Sequence, residues 1–243
     1  MKILIISAGP GLSEINQVYG HATDWIANLI PSDVEVDIVN IYNNDDFDES
    51  LYDAWIVTGS AFSVIDNTNW IINLKNKIKY AYKHSIYVLG ICFGHQIISS
   101  SLGGNIIKNP KGWELGSYKL NLNDKGVSSF LFNNIDADDY FYFSHEDVVS
   151  QLPLNAIELA NNNMGLQAFS INNKIFGVQF HPEFTFNIME QYVNIRFKKG
   201  LIPQLNPVIE SKTSNKIISN FIEICKRKIS WKNLFIRLKI YHT

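Results

Sequence analysis

The sequence predicts an α/β fold: a central, mostly parallel sheet flanked by helices, with a projecting cysteine at the C-terminal edge of the sheet. Three observations carry this expectation. Short apolar runs alternate with longer, helix-like segments through the first half of the chain, as strands and crossover helices do in a parallel sheet. The runs are rich in Ile and Val, which suits strands buried on both faces. One of them ends in a glycine-flanked cysteine with a helix-like stretch behind it.

Taken in order, strands are expected at 2–7, 34–40, 54–58 and 86–91, with helices at 14–29 and 70–83 between them. In the second helix Trp70, Ile71, Leu74, Ile78 and Ala81 recur at helical spacing. After Gly94 the texture changes. Strand-like pieces follow closely at 118–122, 140–144, 156–160, 165–171 and 174–180, some returning to the main sheet and some extending it antiparallel. A helix is expected at 184–198, a linker around Pro203 and Pro207, and a terminal helix at 215–228. The domain division expected is 1–200 for the α/β unit and 201–243 for a C-terminal helical extension.

Composition limits the function classes. The 243 residues are 46% hydrophobic and 13% aromatic, enough for one large core. Charged residues are 18% with a formal net charge of −2, so no global charge recruits nucleic acid or an anionic membrane. Cys92 and Cys225 are the two cysteines, which excludes a disulfide scaffold and fits a reducing compartment. The apolar start at Ile3–Ile6 ends at Ser7-Ala8-Gly9-Pro10, far short of the roughly 7–15 residues of a secretory core. No run reaches the length of a membrane-spanning helix. A cytoplasmic protein is expected.

The sharpest local signal is Ile86-Tyr87-Val88-Leu89-Gly90-Ile91-Cys92-Phe93-Gly94-His95-Gln96. A strand running into a cysteine with glycines two residues either side is the thiol counterpart of a nucleophile elbow. The glycines relieve crowding where the backbone doubles back. The helix that follows points its amides and positive dipole end at the sulfur. The competing reading is an ordinary buried cysteine, packed as a small hydrophobe. Cys225 sits in Phe221-Ile222-Glu223-Ile224-Cys225-Lys226 without such a frame and reads as structural or exposed.

A thiolate nucleophile needs a partner that manages protons. Gly177-Val178-Gln179-Phe180-His181-Pro182-Glu183 offers one. Proline disfavours helix for the residue before it, so His181 is expected to be extended. Residues i and i+2 then face one side, letting Glu183 hold one imidazole nitrogen while the other faces the cysteine. Alone, this tripeptide is weak, and a histidine at a strand end is more often structural. Its pairing with the elbow cysteine gives it weight.

These residues resemble the class I glutamine amidotransferases, whose pattern is Gly-x-Cys-x-Gly-His-Gln followed later by His-Pro-Glu. The resemblance spans roughly residues 1–196. It is nearest to stand-alone members similar to the glutaminase domain of GMP synthase, a group that includes γ-glutamyl peptidases. Val57-Thr58-Gly59-Ser60-Ala61-Phe62-Ser63-Val64, Lys111-Gly112-Trp113-Glu114-Leu115-Gly116 and Ser144-His145-Glu146-Asp147-Val148-Val149 fit that group too.

The resemblance implies a flavodoxin-like fold, nucleophile Cys92, base His181 and orienting Glu183. It implies an oxyanion hole from backbone N–H groups of Gly59 or Ser60 and of Phe93. It also implies substrate contacts at Gln96, whose competing reading is a helix-packing amide, and in the loop Ser144, His145 and Glu146. Backbone groups of that loop would hold the amino-acid end of the substrate. The side chains of His95 and His145 are expected to be structural. Two departures stand out. Gly59-Ser60-Ala61 replaces the usual Gly-Gly-Pro, and Glu146 stands where glycine is usual. An acidic side chain there would attract an ammonium or narrow the pocket, which bears on whether free glutamine is the substrate.

The expected function is hydrolysis of a small-molecule γ-glutamyl amide through a cysteinyl thioester, with no metal or organic cofactor required. The alternatives are a γ-glutamyl peptidase acting on glutathione-like compounds and a non-catalytic regulatory subunit. From Lys226 to Thr243 there are six Lys or Arg and no acid, and Trp231, Leu234, Phe235 and Leu238 form one helical stripe. That tail reads as a helix packed on the domain with a solvated basic face. A docking role toward a partner protein, another copy of the chain or a membrane surface is its alternative.

Overall fold

The computed structural model describes residues 1–136 and 138–227, so the apolar stripe in the basic tail lies outside the described residues. In the first half of the chain, strands β1 (Lys2–Ser7), β2 (Glu35–Asn40), β3 (Ala54–Val57) and β4 (Tyr87–Ile91) alternate with helices α1 (Ser13–Tyr19), α2 (Ala22–Ala27) and α3 (Asn69–His84). Helix α4 (Phe93–Ser101) follows β4 directly. Then come β5 (Asn105–Lys108), β6 (Glu114–Tyr118), β7 (Asn121–Leu122), the single turn α5 (Asp124–Val127), β8 (Phe141–His145), β9 (Asp147–Gln151), β10 (Ala156–Asn162), β11 (Gly165–Ile171), β12 (Ile175–Val178) and α6 (Phe186–Lys198). A last helix, α7, covers 216–227.

Eight strands make the main sheet in the order β2-β1-β3-β4-β12-β11-β10-β7. The first five run parallel and the last three extend it antiparallel. The expected mostly parallel α/β architecture is therefore present, and both fates anticipated for the later strands occur. Two small antiparallel ribbons, β5 with β9 and β6 with β8, stand apart from the sheet.

Period-two burial explains the layering. Ile3 and Ile5 of β1 join one core with Ile56, Leu89, Ile91, Phe176 and Val178, while Leu4 and Ile6 join the other with Trp55, Val57 and Val88. Helices α3 and α4 cover the second face through Ile71, Leu74, Ile78, Ile97 and Ile98. The first face is covered by Ile26 of α2 and by Ile217, Ile218, Phe221, Ile222 and Cys225 of α7. Each large apolar side chain fully buried there contributes about 1.5–3 kcal/mol. Segment 216–227 is thus a layer of the main core, and Cys225 is a core residue whose burial pushes its thiol pKa up.

Two expectations on element bounds change. The helix expected at 14–29 is broken at Gly20, whose φ of 79° leaves the helical region. It restarts at α2, where the Asp24 carboxylate accepts from the His21 N–H at 3.0 Å. The strand expected at 118–122 is divided, because the chain leaves the ribbon with β8 and joins β10 of the main sheet across Lys119-Leu120.

Candidate active site

Parallel pairing sets the site. Ile91 at the end of β4 stands in register with Val178 at the end of β12, so the segments after both strands emerge side by side. Cys92 is the first residue beyond β4, and its N–H donates to the Val178 carbonyl at 2.9 Å. It adopts φ 52° and ψ −102°, a left-handed φ that costs a β-carbon-bearing residue energy and persists only where the surroundings impose it. Helix α4 starts at the next residue. Gly90 and Gly94 meet the expectation made for them. A β-carbon on Gly90 would overlap the Gly94 carbonyl, and one on Gly94 would overlap the Val57 carbonyl of β3.

His181 is held from several sides. Its N–H donates to the Tyr142 carbonyl in β8 at 2.8 Å, and its Nδ1 lies 2.8 Å from Glu183 Oε1. The Phe184 ring stacks on the imidazole at 4.1 Å with 15° between planes, and Tyr192 stacks on Phe184 at 4.8 Å. The Cys92 sulfur lies close enough to the imidazole to act on its charge. Burial disfavours a charged imidazole, but the Glu183 carboxylate and the Cys92 sulfur outweigh it and raise the His181 pKa to about 10. The cysteine, histidine and glutamate expected to act together do come together. The local cause differs from the expected extended segment: β12 ends at Val178, and Pro182-Glu183 form a turn in which the Phe184 N–H donates to the His181 carbonyl at 3.3 Å.

Gly59 lies against both groups. A β-carbon there would approach within 2.7 Å of His181 Cε1 and 3.5 Å of Cys92 Cβ. The hydroxyl of Ser60 donates to the Ala8 carbonyl at 2.7 Å and accepts from the Phe62 N–H at 3.1 Å. Ser60 thereby ties the loop after β3 to the end of β1, which gives the departing Gly59-Ser60-Ala61 sequence a structural role. Among the described residues, the N–H groups of Gly59 and Ser60 donate to no acceptor. Phe93 is the first residue of α4, where an N–H has no partner within the helix.

The residues expected to contact substrate line a cleft of about 180 Å³ beside Cys92, with Gln96, Ser144, His145 and Glu146 on its walls. Gln96 Nε2 donates to the Asp147 carbonyl at 2.8 Å and to Gln179 Oε1 at 3.2 Å, leaving only its oxygen uncommitted. The Ser144 hydroxyl is buried without a partner among the described residues. His145 Nε2 lies 3.0 Å from Glu114 Oε2 without hydrogen-bond geometry, while that buried carboxylate accepts from Gln167 and Asn162. Glu146 pairs with Lys108 at 2.5 Å, so its charge is balanced at the cleft wall. His95 is fully buried against Phe169, and burial pushes its pKa down to about 3, as suits a neutral packing residue.

A second, adjoining cleft, of about 390 Å³, has His181 on its wall and is lined by Gly9, His21, Gly59, Tyr192 and Arg196 among others. Arg196 lines both clefts and lies 4.8 Å over the Trp113 ring. Sequence reasoning missed Arg196, Tyr192 and Phe184. Only helical spacing along α6 after His-Pro-Glu relates them to the site, and that spacing is common to any packed helix. Among the described residues no group of three His, Cys, Asp or Glu side chains is placed to hold a metal ion, and no helix is long and apolar enough to cross a membrane.

A sequence profile for the family described as glutamine amidotransferase class-I matches residues 17–199. The chain is 31% identical to γ-glutamyl peptidase 3 of Arabidopsis thaliana over 75% of this chain and 76% of that protein. It is 33% identical to a glutamine-hydrolysing GMP synthase subunit of Sulfurisphaera tokodaii, over 72% of this chain and 78% of the relative. Among solved structures, a glutamine amidotransferase from Thermotoga maritima superposes with a TM-score of 0.71 at 18% identity, covering 94% of this chain and 97% of that one.

Proposed function

The chain belongs to the class I glutamine amidotransferase family, and from that premise we propose that it hydrolyses a γ-glutamyl amide through a thioester on Cys92. The observation that carries this reading is the alignment of Cys92, His181 and Glu183 at the adjoining ends of β4 and β12. Family membership supports amide hydrolysis in general, and the residue roles below are our reading.

Cys92 Sγ attacks the γ-carbonyl carbon while the imidazole of His181 carries the proton taken from sulfur. The oxyanion that forms accepts from the N–H of Phe93 and from that of Gly59 or Ser60. Donors fixed before the reaction act on charge that appears only at this stage, so they lower the barrier rather than tighten substrate binding. The C–N bond then breaks as His181 gives its proton to the departing nitrogen, releasing ammonia or an amine. Water attacks the thioester, His181 takes its proton, and the Cys92 thiolate leaves as free glutamate forms. Glu183 holds the imidazole and balances its charge throughout. None of these steps draws on a metal or organic cofactor. The two cysteines, one in the core and one at the site, fit a reducing cytoplasmic setting.

The test is covalent. A γ-glutamyl chloromethyl ketone should alkylate wild type at Cys92 with loss of chloride, adding the mass of one reagent less HCl, and should leave Cys92→Ser unlabelled, and ammonia release from glutamine should be lost in parallel. Labelling at Cys225 or elsewhere would refute the assignment. A second reading, a γ-glutamyl peptidase acting on glutathione-like compounds, is favoured by the cleft at His181, which exceeds the needs of ammonia. Relative turnover of glutamine, glutathione and a glutathione conjugate separates the two.

A further inference from the structure

Two adjoining clefts, one with Cys92 and the other with His181 on its wall, differ in size and in charge. The cleft beside Cys92, at about 180 Å³, has the dimensions of a glutamyl group. Since His181 must protonate the departing nitrogen, whatever is attached to that nitrogen leaves on the side His181 faces. There the cleft is about 390 Å³, far more than ammonia occupies. Among the described residues Glu183 is the one acid on its walls, and its Oε1 is engaged by His181. Besides His181, the basic side chains lining it are His21 and Arg196.

Arg196 is the unusual residue. It projects from α6 at the junction of the two clefts, half-buried, with its Nε buried and lacking a hydrogen-bond partner among the described residues. Within that set it also belongs to no ion pair, although ten others are formed, including the nearby Lys199–Glu14 pair. Burial lowers its pKa from the usual guanidinium value, opposed by the nearby Tyr192, Cys92 and Glu14. The guanidinium carbon lies over the Trp113 ring, 4.8 Å from its centroid. A half-buried guanidinium set over an aromatic ring, with no carboxylate in ion-pair contact among the described residues, is a recognition element for a planar anion.

We propose that the cleft at His181 is a leaving-group subsite, and that Arg196 with Trp113 behind it binds the carboxylate of an amino acid or short peptide amide-linked to the γ-glutamyl group. This rests on the γ-glutamyl hydrolysis reading and deepens it, since it names the class of amine released. Arg196 is a specificity residue here, and the bond chemistry stays with Cys92 and His181.

The experiment compares γ-glutamylglycine with γ-glutamylmethylamide, which present the same amide bond with and without the carboxylate. In wild type we expect kcat/KM to favour γ-glutamylglycine by about 10- to 100-fold, the range for a desolvated, hydrogen-bonded charge contact. Arg196→Met should bring the ratio close to one, and Arg196→Lys, which keeps the charge but not the fork, should retain part of it. Equal losses on both substrates would overturn the proposal, because the guanidinium would then serve the glutamyl half or the fold. A wild-type ratio near one would overturn it as well. Calorimetric binding of the two compounds to Cys92→Ala tests the subsite without turnover. Carboxylate-dependent binding there, lost in Cys92→Ala/Arg196→Met, sustains the subsite even if wild type fails to hydrolyse either compound, a result that would instead refute the hydrolysis reading. Binding indifferent to the carboxylate overturns the subsite and leaves that reading standing.

Discussion

Replacing Glu183 with glutamine tests the electrostatics of the site most directly. Glu183 Oε1 and His181 Nδ1 are 2.8 Å apart, with side chains 1% and 8% exposed, so solvent screens the pair little. The amide keeps an acceptor for Nδ1–H but removes the charge. Breaking a buried pair from one side costs about 3–5 kcal/mol. At about 1.4 kcal/mol per unit, the loss corresponds to a fall of roughly two to four units in the His181 pKa. The wild-type value of about 10 would then drop to between roughly 6 and 8, with burial the largest remaining influence.

The sign follows from linkage. A histidine raised above its ordinary 6.5 contributes stability that is full below that pH and vanishes as pH climbs through about 10. Wild type should therefore keep a protonated His181, and with it the acid for the leaving nitrogen, across the neutral and mildly alkaline range. The assay is kcat/KM for glutamine from pH 6 to 10.5, followed by ammonia release, with thermal unfolding measured at each pH. In Glu183→Gln the alkaline limb should move down by two units or more, and the loss of thermal stability on going from pH 6.5 to 10 should shrink. His181→Ala should cost at least tenfold more in turnover than Glu183→Gln, because it removes the proton carrier itself. An alkaline limb at the same pH in wild type and Glu183→Gln would refute the charge argument.

Three further outcomes are expected. Cys92→Ser should lose nearly all turnover, whereas Cys225→Ser should keep it per folded molecule while losing about 1–3 kcal/mol of stability, read by chemical denaturation, because a hydroxyl is left in an apolar core. Gly59→Ala should lower kcat strongly with little change in melting temperature, since its β-carbon would sit 2.7 Å from His181 Cε1 at the edge of the site; an unaltered kcat would show that the loop yields freely. Glu146→Gly, which also releases Lys108, should change the ratio of kcat/KM for glutamine over glutathione in favour of glutamine by roughly one to two orders of magnitude. An unchanged ratio would restrict Glu146 to its pairing with Lys108.

The sequence alone was sufficient for the order of the first four strands and, through the family resemblance, for the proximity of Cys92, His181 and Glu183, the residues proposed to act. Strand β1 was read at its observed bounds because four consecutive buried aliphatics ended by Ser7-Ala8-Gly9-Pro10 leave one local solution. The elbow was legible because Gly90 and Gly94 are demanded by overlaps within a few residues and with the adjoining strand, so the local pattern carries the constraint. What local pattern could not supply was neighbourhood. That β12 lies beside β4, and so delivers His181 to Cys92, depends on pairing two strands separated by most of the second half of the chain. The break at Gly20 was hidden because helical periodicity continues on either side of it. That α7 packs on the sheet face it shares with Ile26 of α2 was not legible either, because apolar residues along a helix do not say which face they cover. Arg196 was invisible for the same reason. A basic residue on a helix acquires meaning only when the fold buries it beside a cleft and places the neighbouring carboxylates elsewhere, because the charge is costly or useful according to its surroundings and not its type.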